Sequence, residues 1–102
     1  MAKIPPPSFH PDMEKELLYG RKRCTTRREK LGEVGDEFTL KGQTFRFVEV
    51  REEKFGVIKY LFYRCEGFFS PADFEIFWIR IHRGHLPAPN EPRWLHIMER
   101  VE

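Results

Sequence analysis

Gly20-Arg21-Lys22-Arg23-Cys24-Thr25-Thr26-Arg27 places four cationic side chains, two hydroxyls and a thiol at one corner of the chain. Upstream, Met13 and Leu17 form an i, i+4 apolar pair that Leu18 widens, behind a start signal of Pro11, Asp12 and Glu14. That helix should end at Gly20, a residue suited to the left-handed C′ position. Downstream, Thr25 and Thr26 are β-branched and favour extended backbone, so a short strand should begin within the stretch. A helix-to-strand corner with this charge suits the gripping of an anion, because cationic side chains and free backbone N–H groups converge there.

Outward from the corner, the N-terminal side opens with Pro5, Pro6 and Pro7, which hold the chain extended and allow Ser8-Phe9-His10 to lie as an edge strand. On the C-terminal side, Arg28 to Val34 reads as a polar, mobile loop closed by the turn Gly35-Asp36. Phe38 and Leu40 alternate with polar residues, Lys41-Gly42 makes a hairpin turn, and Phe45, Phe47, Val48 and Val50 form the return strand. The alternation slips between Phe47 and Val48, as a β-bulge or a strand buried on both faces of a small barrel would require. In residues 57–64 the spacing of Val57, Tyr60, Leu61 and Arg64 fits a short helix. Ser70 as N-cap, Pro71 at N1 and Asp73 at N3 then start a helix whose stripe is Phe74, Phe77, Trp78 and Ile81. Trp94 to Val101 reads as a final strand with apolar residues on both faces. The expected order is strand, helix, strand, hairpin, helix, helix, strand, an α+β fold. Two main helices cannot cover a broad open sheet, so a small curled β-barrel with flanking helices is expected.

The chain has 102 residues, which predicts a single domain over residues 1–102. Ten Phe residues supply large apolar area from few positions and offset a charged fraction of 33%. A net charge of +2 does not by itself mark a nucleic-acid protein. Its distribution is more telling: residues 21–30 hold six Lys or Arg against Glu29 alone. The N-terminal MAKIPPPSF lacks a leader's apolar run, no segment has the length of a membrane span, and Cys24 and Cys65 form no CxxC pair. A cytoplasmic protein with reduced thiols and no membrane association is expected.

In their order, five short motifs resemble the ASCH domain, a PUA-like fold. They are Gly20-Arg21-Lys22, Thr25-Thr26-Arg27, Gly35-Asp36-Glu37-Phe38, Glu66-Gly67-Phe68, and the helix from Ser70-Pro71 to Trp78. The resemblance implies a PUA-like β-barrel with a cleft between barrel and helices, in a fold associated with RNA binding. One branch of that family consists of small amidohydrolases that deacetylate N4-acetylcytidine with a Lys, a Thr and a Glu. Those positions correspond here to Lys22, Thr25 and Glu66. The family often has Thr directly after the motif Lys, where this chain has Arg23.

The residues themselves allow the same chemistry. Arg21 and Arg23 beside Lys22 would oppose its protonation, making it a base for the Thr25 hydroxyl. Glu66 could shuttle a proton to a leaving amine, and Arg27 could bind a carboxylate, phosphate or oxyanion. A salt-bridged anion-binding corner is the commoner use of such a trio. Binding of single-stranded RNA or a nucleoside- or nucleotide-like ligand is therefore the primary reading, amidohydrolysis the alternative, and a protein-interaction module the third. Arg21, Arg23, Arg28 and Lys30 would face phosphates, with Lys22, Thr25 and Arg27 turned inward. Phe68, Phe69 or Tyr63 could stack on a base, each exposed stack contributing roughly 1–3 kcal/mol, although one of the two adjacent Phe should belong to the core. No cofactor is expected. His82-x-x-His85 lacks a third ligand, so no metal site is assigned, and His96 reads as a satisfied, half-buried side chain. Cys24 has no paired His and is given no nucleophilic role.

Overall fold

The computed structural model describes residues 2–101. In chain order it contains α1 (Pro11–Tyr19), β1 (Cys24–Arg27), β2 (Glu37–Leu40), β3 (Gln43–Lys54), α2 (Phe55–Leu61), α3 (Pro71–Ile81) and β4 (Pro92–Val101). The strands form one antiparallel sheet in the order β1-β4-β3-β2, an open half-barrel. β3 and β4 are its central strands, and β4 is buried on both faces, which explains its apolar residues on both sides, whereas β3 buries Phe45 and Phe47 on one face. Leu95 joins Phe55, Ile58, Phe74 and Trp78 in a core against α2 and α3. Met98, on the opposite face, joins Leu17, Phe38, Phe45 and Phe47 in a second core under α1.

Local signals set most boundaries. Gly20 ends α1 at φ 96°, and Ser70 Oγ accepts the Asp73 N–H at 3.1 Å to start α3. Lys41 and Gly42 both have positive φ, 49° and 82°, the signature of a type I′ hairpin. Between β3 and β4, Phe47 pairs with Met98 and Glu49 with Ile97, leaving Val48 as the bulged residue. The bulge bends the sheet where the alternation slips.

Three expectations are corrected. Residues 8–10 form no strand: His10 caps α1, its Nδ1 accepting the Asp12 N–H at 3.1 Å. Strand-like pairing occurs earlier, as a parallel bridge from Lys3 to Glu37, and the three prolines that follow cannot donate to extend it. The helix expected over 57–64 starts at Phe55 and buries Phe55 and Ile58, leaving Tyr60 and Leu61 exposed. Cys24 and Cys65 are not reduced thiols but a disulfide. Backbone pairing brings them together, because the Cys65 carbonyl accepts the N–H groups of Arg23 at 2.7 Å and Cys24 at 2.9 Å. No helix is long and apolar enough to cross a membrane among the described residues.

Candidate functional site

The corner is built from the end of α1. The Glu16 carbonyl accepts N–H bonds from Gly20, Arg21 and Lys22, at 3.0–3.1 Å, so the chain reverses tightly and feeds β1. Strand alternation then sends Lys22, Cys24 and Thr26 one way and Thr25 and Arg27 the other. The first set meets the segment after α2. Lys22 Nζ donates to Glu66 Oε1 at 3.0 Å and to the Glu66 carbonyl at 3.1 Å, and Thr26 Oγ1 donates to Glu66 Oε2 at 2.6 Å. Both members of the ion pair are withdrawn from water, Lys22 5% and Glu66 3% exposed. Each Glu66 oxygen has its own donor, which offsets the cost of burying the charges. Gly67 permits this approach: at φ 102° it lies so close that an added Cβ would sit 3.3 Å from Lys22 Cβ.

The second set holds a different cation. Arg27 Nε donates to Thr25 Oγ1 at 3.0 Å, Nη2 donates to the Ser8 carbonyl at 2.7 Å, and the guanidinium lies 5.0 Å from the Phe9 ring centroid. Among the described residues no carboxylate lies within ion-pair distance of Arg27. Burial pushes its pKa below the ordinary arginine value, and the charge of Glu66 works in the opposite direction. The group remains a cation.

Both sets line one cavity of about 290 Å³ between β1, α3 and the segment before α1. Phe68, Phe74, Phe77 and Trp78 supply aromatic wall, with Phe68 packed at 5.3 Å from Phe74 and 5.4 Å from Phe77. His10 and His82 also line it, His82 stacked on Trp78 at 4.2 Å with an 18° interplanar angle. Ile81, expected in the core stripe, is instead exposed on the cavity lining.

The candidate residues therefore divide. Lys22, Thr25, Arg27, Glu66 and Phe68 line the cavity. Arg21, Arg23 and Arg28 are exposed outside it. Arg21 is held by Glu16, Nε to Oε2 at 2.6 Å, and this bond lowers the Glu16 pKa below the ordinary carboxylate value. The cationic neighbourhood expected for Lys22 is thus replaced by an anionic one. Of the adjacent pair, Phe68 packs inward and Phe69 is 86% exposed. Among the described residues, no three His, Cys, Asp or Glu side chains are grouped to hold a metal ion.

Thr26 is the residue that sequence reading missed. It sits four positions after Lys22, on the same side of an extended chain, and that spacing was the available signal. His96 is more deeply placed than expected. It is fully buried, its Nδ1–H donates to the Thr25 carbonyl at 3.2 Å, and its Nε2 accepts the Leu31 N–H at 2.9 Å.

No family model matches the chain, and no curated protein does. Among solved structures it is similar to one described as the high-resolution crystal structure of an ASCH domain from Lactobacillus crispatus JV V101. The two share 12% sequence identity over 97% of this chain and 79% of that one, with a TM-score of 0.71. At that identity the likeness is one of fold, and the half-barrel with three helices is the ASCH fold.

Proposed function

We propose that this protein, built on the ASCH fold, binds single-stranded RNA or a nucleotide-like ligand in the cavity between sheet and helices. The observation that carries the reading is Arg27, a cation held in place by Thr25, Ser8 and Phe9, without a carboxylate, beside aromatic walls. Phosphate asks for a fixed guanidinium and a base asks for a ring to lie against. Lys22 and Glu66 cancel each other's charge, so the cavity's net field comes from Arg27. A volume near 290 Å³ is at the small end of ligand pockets, which run from roughly 300 Å³ upward. It suits one nucleotide.

Titration with cytidine 5′-monophosphate by calorimetry tests the reading. Binding should weaken at least tenfold in Arg27→Gln and fall with added salt. No binding at millimolar ligand, or equal binding by the variant, would refute it.

The co-location of Lys22, Thr25 and Glu66 in that cavity favours a second reading, deacetylation of N4-acetylcytidine-type nucleosides. Lys22 would first pass its proton through Glu66 to the leaving amine and then take the Thr25 hydroxyl proton as Thr25 Oγ1 bonds to the acyl carbon and the C–N bond breaks. Water would then release acetate. Incubation with N4-acetylcytidine should yield cytidine on chromatography, with Lys22→Ala as control. Absence of turnover excludes this substrate.

A further inference from the structure

A second cavity, of about 240 Å³, adjoins the first, and Lys22 lines both. Its apolar floor is Leu17, Phe45 and Met98. Among the described residues, the charged ones that line it are Lys22, Arg23 and Arg100, with no acid. The Lys22 ammonium is committed to Glu66, which leaves two arginines facing the space. Among the described residues neither is within ion-pair distance of a carboxylate, whereas Arg21, beside Arg23 in sequence, is held by Glu16. Arg100 is fixed in place by donating from Nη2 to the Leu18 carbonyl at 2.6 Å. Tyr19, 77% exposed, stands at the cavity wall.

We infer that this cleft is a phosphate subsite for the nucleotide next to the one in the first cavity. The ligand is then single-stranded RNA of at least two nucleotides, not a free nucleoside. The inference rests on the binding reading above and extends it. Two guanidiniums without a carboxylate partner among the described residues line one cleft, and a phosphodiester between them would accept charge-assisted hydrogen bonds from both. Tyr19, Gly20, Lys22 and Arg23 line the second cavity and Lys22, Thr25, Thr26 and Arg27 the first, in chain order along the approach to β1, which is an edge strand. A strand of RNA running outside that edge, over the segment from Cys65 to Gly67 that is bonded to Arg23 and Cys24, would reach from one cavity to the other, and Tyr19, one face of whose ring is covered by Arg21 at 4.6 Å, offers its other face to a base.

The test compares a fluorescein-labelled single-stranded cytidine hexaribonucleotide, read by anisotropy, with cytidine 5′-monophosphate, read by calorimetry. The wild type should bind the hexamer at least tenfold tighter than the monophosphate. In Arg23→Ala/Arg100→Ala that ratio should fall about tenfold, and the slope of log Kd against log salt should shrink by about 0.7 for each phosphate no longer neutralised. Arg23→Ala removes no side-chain hydrogen bond, so it should show part of the effect even if removing the Arg100 bond to Leu18 impairs folding. A hexamer bound no tighter than the monophosphate, or an unchanged ratio in a folded variant, overturns the subsite while leaving the first cavity's reading intact. Displacement of the hexamer by an equal concentration of inorganic phosphate also overturns it, marking a free-anion site. Failure of the wild type to bind either probe overturns both.

Discussion

Glu66 shows how one side chain fixes the centre of this site. It is nearly sealed from water, with Lys22 on one oxygen and Thr26 on the other. Removing one partner of a buried pair strands the other, so Lys22→Met and Glu66→Gln should each cost about 3–5 kcal/mol in urea unfolding. The double variant should cost less than the sum, because it leaves no unpaired charge. Thr26→Val deletes a hydrogen bond to a charged acceptor and should cost about 1.5–3 kcal/mol. A fully additive double variant would show that the pair is not coupled. His96 predicts a pH dependence. Burial pushes its imidazole below the ordinary 6.5, and the charge of Arg27 adds to the shift. The native state therefore binds fewer protons than the unfolded chain once pH falls below 6.5. Stability should decline with falling pH by up to about 1.4 kcal/mol per unit until the native imidazole protonates. Urea midpoints between about pH 5 and 7 should show this slope, and His96→Gln should flatten it. The carboxylates of Glu16, Asp36 and Glu91, whose pKa values are lowered, lose their contribution only below 4.5, in a separate window.

At the scale of elements, the legible parts were those with a local chemical cause. Ser70 accepting from Asp73, Gly20 in left-handed conformation, and Lys41-Gly42 at the hairpin each act within a few residues of themselves. Ser70→Ala should lower stability by about 1 kcal/mol, read as a shifted urea midpoint with an unchanged slope. An unaltered midpoint would mean that the cap bond does not limit α3. The bulge at Val48 was legible as one of two readings of the slip in alternation, and the exposure of Val48 beside buried Phe45 and Phe47 excludes the other, a strand buried on both faces. The helix α2 was legible as a helix, but its boundaries were not. Its start is set by Phe55 N–H donating to the Glu91 carbonyl at 2.9 Å, thirty-six residues away, and no spacing within 57–64 records that contact. Ser8-Phe9-His10 failed for a different reason, because the prolines suggested an extended edge strand where His10 instead caps α1 through the Asp12 N–H two residues on.

At the scale of the whole molecule, the chain order was read as a small curled β-barrel with flanking helices and the structure is an open four-stranded half-barrel, in which Lys22, Thr25 and Glu66 line one cavity. What sequence could not carry was which partner each side chain would take. Arg21 lies one position from Lys22, yet one ends on Glu16 at the surface and the other on Glu66 in the interior. Nor could spacing reveal that the two cysteines pair across forty-one positions. The bridge joins the corner to the segment bearing Glu66, for Cys24 lies between Lys22 and Thr26 and Cys65 directly precedes Glu66. By loop-closure entropy a cross-link of this span contributes about 4 kcal/mol through the unfolded chain. Reduction with dithiothreitol, or the pair Cys24→Ala/Cys65→Ala, should therefore lower the unfolding free energy by about that amount. The native site should loosen far less. Arg23 and Cys24 keep their backbone bonds to the Cys65 carbonyl, and Lys22 and Thr26 keep theirs to Glu66. Affinity for cytidine 5′-monophosphate at low temperature should then change less than about threefold while the melting temperature falls by many degrees. A reduced protein that stays fully stable but no longer binds its ligand would reverse this assignment, making the bridge a determinant of the site and not of the fold.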